Sequence, residues 1–209
     1  MTEHRVRVLL VEDHFLARMA LRGVLNGRRD MSLVAEAGNG VQAVELYRQH
    51  KPDVTIMDLG LPQLSGLEAI KRIRDLDSGA RILVLTNFGG SEDVHRALQA
   101  GASAYLGKDT GGDELIQAIL AVNRNERYLP EPIAGRLAER DPSSALTARE
   151  LSVLDLLVKG CTNRDIAHTL GMAEKTARIH VSNILRKLEV ADRTEAAVAA
   201  LQRGIIHLD

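Results

Sequence analysis

The sequence predicts a doubly wound α/β domain with a five-stranded parallel sheet, followed by a smaller all-α domain of four helices that contains a helix-turn-helix. Two observations support this prediction. Up to about Val122, five short apolar runs alternate with five amphipathic stretches, as in a parallel sheet connected by helices. After about Ala145, the apolar residues repeat only at helical spacing. We therefore expect domains at 1–122 and 146–209, joined by a linker at 123–145.

The elements of the first domain follow one another as strand and helix five times. The runs at 53–57 and 81–85 are apolar on both faces, which is expected of strands covered by helices on both sides of a sheet. Glycines such as Gly79 and Gly101 mark the turns. The predicted strands are 6–12, 31–36, 53–57, 81–85 and 103–106, and the predicted helices are 14–26, 40–50, 65–76, 91–100 and 110–122.

The linker and the second domain differ from the first domain in composition and period. Residues 123–145 are richer in Pro, Arg and Glu, with one weak helical stretch from Ile133 to Arg140. Thr147 and Glu150 have the spacing of a capping box that opens the next helix, and Gly160 ends that helix. The remaining predictions are a helix from Thr162 to Leu170, a tight turn at Gly171, a helix from about Ala173 to Leu188, and a helix that opens at Asp192 and runs to Gln202. A short helix, a glycine turn and a longer helix form the helix-turn-helix pattern.

Four strands of the first domain end in residues that can handle a phosphoryl group. The acidic pair Glu12-Asp13, the carboxylate of Asp58, the hydroxyl of Thr86 and the ammonium of Lys108 each follow a different predicted strand. The carboxyl ends of parallel strands share one edge of the sheet, which is where open α/β sheets bind ligands. We therefore predict that these groups meet in one pocket.

The chemistry of this pocket follows from its charges. Three close carboxylates repel one another unless a cation lies among them, and Mg²⁺ suits hard oxygen ligands. The predicted Mg²⁺ ligands are Glu12, Asp13, Asp58 and the backbone carbonyl of Gly60. Asp58 is placed to act as a nucleophile that forms an acyl phosphate. Lys108 would offset the charge of the transferred phosphoryl group, while the Thr86 hydroxyl would turn inward to bond one of its oxygens.

Single residues of this set have simpler interpretations. Alone, Asp58 would more often be a turn or helix-cap residue, and Lys108 a solvated surface charge. The combination, in this order along the chain, favours function. Tyr105 has two equally supported interpretations, as a core residue or as a switch that moves between buried and exposed states. His14 follows the acidic pair and is interpreted as the residue that starts a helix.

At these residues the chain resembles the receiver domains of bacterial two-component response regulators, over about residues 5–122. The resemblance implies a flavodoxin-like fold and Mg²⁺-dependent transfer of a phosphoryl group from the phosphohistidine of a sensor histidine kinase to Asp58. It also implies slow autodephosphorylation and a switch that couples Thr86 to Tyr105. The positions that depart from the family's common residues are Leu61 in place of Met, Asn87 in place of a small residue, and Asp109 in place of Pro. The amide of Asn87 is larger than the family's usual side chain, so we expect it to narrow access to the phosphoryl site or to alter the lifetime of the phosphate.

The third helix of the second domain has one apolar face and one basic face. The apolar positions, which should be core, are Ala177, Val181, Ile184, Leu185 and Leu188. The opposite face presents Lys175, Arg178, Ile179, Ser182 and Arg186. Basic groups on such a face suit phosphates and guanine edges of a major groove, and an apolar side chain suits a thymine methyl group. Taken alone, the four basic residues of this helix, which are these three and Lys187, would more often belong to a solvated face.

Several segments of the second domain together resemble the output domain of LuxR-type regulators, in the NarL/FixJ subfamily that carries a receiver. These segments are 146–150, 163–167, 176–180 and 187–188, and the resemblance covers about 145–207. It implies that the third helix enters the major groove, with Thr176 among the expected contacts, and that the last helix helps to form a dimer. The last helix is rich in alanine around Val198 and Leu201, which fits either a dimer contact or ordinary core packing. A dimer would read two half-sites related by two-fold symmetry.

Composition limits the class of protein. The net charge of the 209-residue chain is −1, so any surface that binds a polyanion must be local. The single cysteine, Cys161, is interpreted as a packing residue and suits a reducing cytosol. Neither a signal peptide nor a run of about 18 apolar residues is visible, so we expect a cytoplasmic protein without a membrane partner. The expected partners are a sensor histidine kinase, double-stranded DNA, a second copy of the chain on activation, and RNA polymerase.

Three functions compete on the sequence. The first is a phosphorylation-controlled transcriptional regulator, with no enzymatic activity beyond self-phosphorylation from a donor and slow autodephosphorylation. The second is an Mg²⁺-dependent aspartyl-phosphate phosphatase, which Gly60 disfavours because a proton-shuttling carboxylate would be needed two residues beyond Asp58. The third is a receiver that acts through protein contacts without phosphate, which Asn87 leaves open.

Overall fold

The computed structural model describes residues 5–138 and 145–207, and the chain divides into two compact units. The strands are Val6–Val11 (β1), Met31–Ala37 (β2), Val54–Met57 (β3), Ile82–Thr86 (β4) and Ala104–Gly107 (β5). They form one sheet in the order β2-β1-β3-β4-β5, and every pairing is parallel. The predicted five-stranded parallel sheet is confirmed.

Helices alternate with these strands, as the sequence pattern predicts. They are Phe15–Asn26 (α1), Gly40–His50 (α2), Gly66–Leu76 (α3), Ser91–Ala100 (α4) and Gly112–Asn123 (α5). The Asn39 side chain caps α2 by accepting a hydrogen bond from Gln42 N, and the Ser65 side chain caps α3 in the same way through Glu68 N. Within the part of the chain that the structure describes, no helix is both long and apolar enough to cross a lipid bilayer.

The core of the first unit lies along the sheet. Every residue of β3 and β4 is buried, which confirms the prediction that these runs are apolar on both faces because both faces are covered. On one face, Leu10, Ile56 and Leu106 of the strands pack in a cluster with Leu25 of α1 and Ile119 of α5. Burial of each such side chain contributes about 1.5–3 kcal/mol to the stability of this layer.

The register of the sheet places the carboxyl ends of its strands at one level. Val11 of β1 pairs with Met57 of β3, and Met57 pairs with Val84 of β4. Thr86, the last residue of β4, pairs with Gly107, the last residue of β5. The strand order also changes direction between β1 and β3, which creates a crevice at their carboxyl ends. The residues that follow β1, β3 and β5 therefore share one edge of the sheet.

The second unit contains the four predicted C-terminal helices. They are Ala148–Val158 (α7), Asn163–Leu170 (α8), Glu174–Leu188 (α9) and Arg193–Gln202 (α10). Thr147 and Glu150 form the predicted capping box of α7, and the Asp192 side chain caps α10. Gly171 ends α8 with a φ of 63°, a left-handed conformation that glycine adopts without strain. The core residues common to these helices include Leu154, Ile166, Ile184 and Ala196.

A short helix, Glu131–Ala138 (α6), lies in the predicted linker and begins two residues before the expected Ile133. Before it, Tyr128 lies beside β5, since its amide donates to Ser103 O at 3.1 Å and its carbonyl accepts from Tyr105 N at 3.3 Å. Residues 139–144 of the linker, including Arg140, and residues 208–209 lie outside the described part of the chain. The domain limits 1–122, 123–145 and 146–209 stay predictions.

Candidate functional site

Backbone pairing brings the predicted pocket residues together. Asp58 N donates to Val11 O at 3.0 Å, so the carboxylate after β3 is held beside the acidic pair after β1. Lys108 N donates to Thr86 O at 3.0 Å, so the ends of β4 and β5 are tied in the same way. The side chains of Glu12 and Asp58 are almost fully buried, with 1% and 4% of the residue exposed.

Lys108 joins two of the carboxylates. Its Nζ lies 2.7 Å from Asp58 Oδ2 and 2.7 Å from Glu12 Oε2. Burial lowers the pKa of Lys108, but the hydrogen bonds and charges of Asp58 and Glu12 outweigh burial and leave that pKa above its ordinary value. Lys108 is therefore a cation at neutral pH and offsets one of the negative charges of the pocket.

The remaining negative charge of the pocket fits a divalent cation. Glu12, Asp13, His14 and Asp58 each offer one ligand atom, and these atoms all lie within 4.8 Å of one another. Asp13 Oδ1 is buried and makes no hydrogen bond with any described residue, so its lone pairs are available to an ion. Gly60 lies at the same place, since its amide donates to Asp58 Oδ1 at 3.3 Å. A metal bond from the Gly60 carbonyl stays a prediction.

Two residues next to the acidic pair were not predicted to contact it. Arg18, one turn into α1, donates through Nη1 to the carbonyls of Glu12 and Asp13. His14 starts α1, as predicted, and its ring also lies against both carboxylates. The sequence contained a signal for Arg18, because it is a basic residue in the first turn of the helix that follows the acidic pair. The sequence held no comparable signal for the direction of the His14 ring.

Thr86 and Tyr105 meet at Phe88. Thr86 is buried, and its Oγ1 accepts a hydrogen bond from Phe88 N at 3.4 Å. The Tyr105 side chain is fully buried, and its hydroxyl donates to Phe88 O at 2.9 Å. Tyr105 is thus a core residue in this conformation, and its predicted switch role remains a prediction. Phe88 was not among the predicted site residues. Its ring lies beside Gly60, in van der Waals contact with the point where a Cβ on residue 60 would be.

The predicted nucleic-acid interface is an exposed face of α9. The exposed residues are Lys175, Thr176, Arg178, Ile179, Ser182 and Arg186. Ala177, Ile184 and Leu188 are buried in the core of the unit, and Val181 and Leu185 pack against that core, which confirms the predicted division of the helix. Ile179 is 52% exposed, an unusual position for a large apolar side chain. Arg178 pairs with Glu174 one turn earlier on the helix.

A buried ion pair fixes α9 against α7. Lys187 Nζ lies 2.7 Å from Glu150 Oε2 and donates to Ala145 O at 3.1 Å. The same oxygen of Glu150 accepts hydrogen bonds from Thr147 N at 2.8 Å and from Thr147 Oγ1 at 3.0 Å. Burial raises the pKa of Glu150, but the bonds from Lys187 and Thr147 outweigh burial and lower that pKa below its ordinary value. The pair positions the helix that carries the exposed basic face.

The remaining predicted packing residues are largely internal. Cys161 packs against the core of the second unit, as predicted, and its carbonyl accepts a hydrogen bond from Arg193 at 2.6 Å. In α10, Ala196, Ala199 and Ala200 are buried, which supports core packing for these alanines. Val198 and Leu201 of the same helix are exposed, at 48% and 39%. A dimer contact through α10 stays a prediction.

Two family descriptions match the chain. Residues 8–120 match "Response regulator receiver domain", and residues 144–200 match "Bacterial regulatory proteins, luxR family". The first match covers β2 to β5, most of β1 and the pocket. The second covers α7, α8 and α9 and most of α10.

The similarity to known proteins extends over almost the whole chain. The chain is 37% identical to the transcriptional regulatory protein LiaR of Bacillus subtilis strain 168, over 97% of this chain and 100% of LiaR. It is similar to the crystal structure of the response regulator ChrA of a heme-sensing two-component system, with 33% identity, a TM-score of 0.58, and coverage of 97% of this chain and 99% of ChrA. The structure of the response regulator RcsB in complex with DNA has a TM-score of 0.70 at 22% identity, over 94% of this chain and 98% of RcsB, and supports the fold alone.

Proposed function

This chain belongs to the two-component response regulators that join a receiver domain to a LuxR-type domain, which are phosphorylation-controlled DNA-binding regulators of transcription, and we propose that Asp58 is its phosphoacceptor. The observation that supports this assignment best is the position of Lys108 Nζ, 2.7 Å from Asp58 Oδ2. A phosphoryl group on Asp58 would place its negative charge next to the same ammonium group. Glu12 and Asp13 form the acidic pair just before α1, whereas Asp58 stands alone after β3.

The pocket residues have different proposed roles in phosphoryl transfer. Glu12, Asp13, Asp58 and the Gly60 carbonyl would hold Mg²⁺, which supplies positive charge at the transferred phosphoryl group when bound. Lys108 supplies a second positive charge beside the Glu12 and Asp58 carboxylates. The Thr86 hydroxyl, now bonded to Phe88 N, would turn toward the phosphoryl oxygens. This movement would change the bonds that Phe88 makes with Thr86 and Tyr105.

Hydrolysis of the phosphorylated chain should be slow. The residue two positions after Asp58 is Gly60, which has no side chain to shuttle a proton to or from an attacking water. The geometry therefore favours a regulator that keeps its phosphate over a phosphatase with rapid turnover. Asn87, which is exposed beside Thr86, is placed to influence the access of water to this site.

The histidine kinase that the receiver domain implies is the proposed source of the phosphoryl group, and DNA is the proposed ligand of α9. The exposed face of α9 combines basic residues for phosphates or guanine edges with Ile179 for a thymine methyl group. We also propose a homodimer on activation, which reads two half-sites related by two-fold symmetry. The exposed side chains Val198 and Leu201 of α10 support that proposal.

One experiment tests the phosphoacceptor. The full chain is incubated with Mg²⁺ and a small phosphodonor such as acetyl phosphate, and its intact mass is followed over time. We expect the mass of one phosphate on the native chain and on Asp109→Asn, an exposed carboxylate beside Lys108 that serves as the control. Asp58→Asn should stay unmodified. Phosphate on Asp58→Asn would contradict the assignment, and repeated release of phosphate from the native chain would favour the phosphatase.

A second experiment tests the DNA face. Arg178→Ala should weaken binding to a cognate DNA site by about 1–3 kcal/mol if the guanidinium contacts a base edge. Arg48→Ala, which removes an equal charge at an exposed position of α2, is the control and should have little effect. Equal affinities of the two variants, measured at one salt concentration, would remove Arg178 from the contact set.

A further inference from the structure

His14 lies at the mouth of the proposed metal pocket. Its Nδ1 is 2.9 Å from Asp13 Oδ1 and 3.3 Å from Glu12 Oε1, while 69% of its side chain is exposed. The backbone holds it there, because His14 N donates to Glu12 Oε1 at 3.0 Å and the residue forms the N-cap of α1. The backbone of His14 is therefore held beside the acidic pair, and its ring nitrogen lies close to both carboxylates.

The distances around His14 match those between ligands of one metal ion. With metal–ligand bonds of about 2.1 Å, neighbouring ligands of an octahedral ion are about 3 Å apart and opposite ligands about 4.2 Å apart. The contacts of His14 Nδ1 at 2.9 and 3.3 Å have the first separation. The 4.8 Å span of the whole group, which includes Asp58, is close to the second. Asp13 Oδ1 makes no hydrogen bond with any described residue even though Nδ1 is 2.9 Å away, so this contact does not have hydrogen-bond geometry.

The two carboxylate oxygens of Glu12 contact different residues. Lys108 Nζ contacts Oε2 at 2.7 Å, whereas the ring and the amide of His14 lie at Oε1. An ion bound between Oε1, Asp13 and His14 would therefore leave the Lys108 contact in place. Lys108 remains available for the phosphoryl group.

We infer that His14 is a further metal ligand through Nδ1, which raises the affinity of this pocket for Mn²⁺ and similar transition-metal ions relative to Mg²⁺ above that of the same pocket with oxygen ligands alone. Imidazole nitrogen binds first-row transition metals well, whereas Mg²⁺ prefers oxygen ligands and retains its waters. This inference rests on the proposed function, because the pocket is the one proposed to hold Mg²⁺ during phosphorylation. It adds a ligand to the predicted set and changes which ion the protein selects.

Electron paramagnetic resonance of the full chain with MnCl₂ tests this inference without a measurement of activity. Titration of the free-ion signal gives the Mn²⁺ affinity, competition with MgCl₂ gives the Mg²⁺ affinity, and pulsed spectra detect nitrogen bound to Mn²⁺. All titrations are run in one buffer at a single pH, because metal affinity depends on pH. We expect nitrogen coupling in the native chain. In His14→Gln the coupling should disappear, with Mn²⁺ affinity at least about tenfold weaker and Mg²⁺ affinity changed by less than about twofold.

The controls separate this inference from the proposed pocket. His50→Gln, in the last turn of α2, should keep the nitrogen coupling and both affinities. His14→Gln should fold, because the His14 ring is exposed and caps no amide of α1, and circular dichroism checks this. Mn²⁺ binding without nitrogen coupling, coupling that survives in His14→Gln, or an unchanged ratio of Mn²⁺ to Mg²⁺ affinity would overturn the role of His14 alone. No Mn²⁺ or Mg²⁺ binding by the native chain would overturn the pocket as well.

Discussion

Replacement of Lys187 by Met should destabilise the helix-turn-helix unit by about 2–3 kcal/mol. The substitution removes the cation that lies 2.7 Å from Glu150 Oε2 and leaves a carboxylate that is only 4% exposed. Removal of one partner of a buried pair costs about 3–5 kcal/mol when the other charge is left without compensation. Here the cost is smaller, because Thr147 still donates two hydrogen bonds to Glu150 and the Lys187 side chain is 18% exposed, so water reaches the site.

Hydrogen exchange measured by mass spectrometry is the appropriate assay, because it reports the two compact units separately. A loss of 2 kcal/mol corresponds to exchange about 30-fold faster in peptides of α7 and α9. Peptides of the β-sheet should not change. The matched control is Lys159→Met, which removes an exposed pair with Asp155 on α7 and should cost no more than about 0.5 kcal/mol.

The dependence on pH provides an independent check of the same pair. The pKa of Glu150 is lowered in the folded chain, so its ionised form contributes stability above the ordinary value of 4.5, and this contribution is lost as pH falls through the folded pKa. The difference between the native chain and Lys187→Met should therefore narrow on acidification below that value. A Lys187→Met chain that behaves like Lys159→Met would contradict a stabilising role of this pair. A double variant, Glu150→Gln with Lys187→Met, that is no more stable than Lys187→Met would contradict it as well.

Two further substitutions test how the pocket is built. Arg18→Met should weaken Mg²⁺ binding about tenfold, because the backbone carbonyls of Glu12 and Asp13 lose their hydrogen-bond donor. Arg22→Met, which removes an exposed ion pair with Glu36, is the control and should leave Mg²⁺ binding unchanged. Equal Mg²⁺ affinities of the two variants, measured by calorimetry, would contradict this role of Arg18. Gly66→Ala should destabilise the chain in urea by at least about 2 kcal/mol and slow phosphorylation, because a Cβ there collides with the backbone carbonyl of Asp58. Gly23→Ala is its matched control, since a Cβ there meets nothing within 4 Å and should stabilise α1 by about 0.5–1 kcal/mol. A stable, normally phosphorylated Gly66→Ala would show that the loop after β3 adapts.

The parts of the structure that depend on local pattern were predictable from the sequence. The apolar runs of β3 and β4 and the capping residues Thr147 and Asp192 each carry a local signal, and each of these elements lies where its signal indicates. Lys108 was predictable as a pocket residue because parallel strands necessarily end at one edge of a sheet.

The contacts that were not predictable depend on the direction of side chains across the folded chain. The sequence places Lys187 on α9, but its pairing with Glu150 requires the packing of α9 against α7. Phe88 lies at the pocket through contacts with Gly60, Thr86 and Tyr105. His14 was predictable as the start of α1, whereas the position of its ring depends on the rotamer of its own side chain. Such contacts arise from tertiary structure and leave no periodic trace in the sequence.

Whether phosphorylation of Asp58 controls DNA binding is tested by the DNA affinity of the full chain before and after phosphorylation, with the intact mass measured in the same sample. We expect the singly phosphorylated chain to bind its DNA site at least about fivefold more tightly, the lower end of typical coupling between two sites. Asp58→Asn, treated in the same way, should keep the affinity of the unphosphorylated chain. A fully phosphorylated chain whose DNA affinity is unchanged would contradict the proposal that the pocket around Asp58 controls the DNA face of α9.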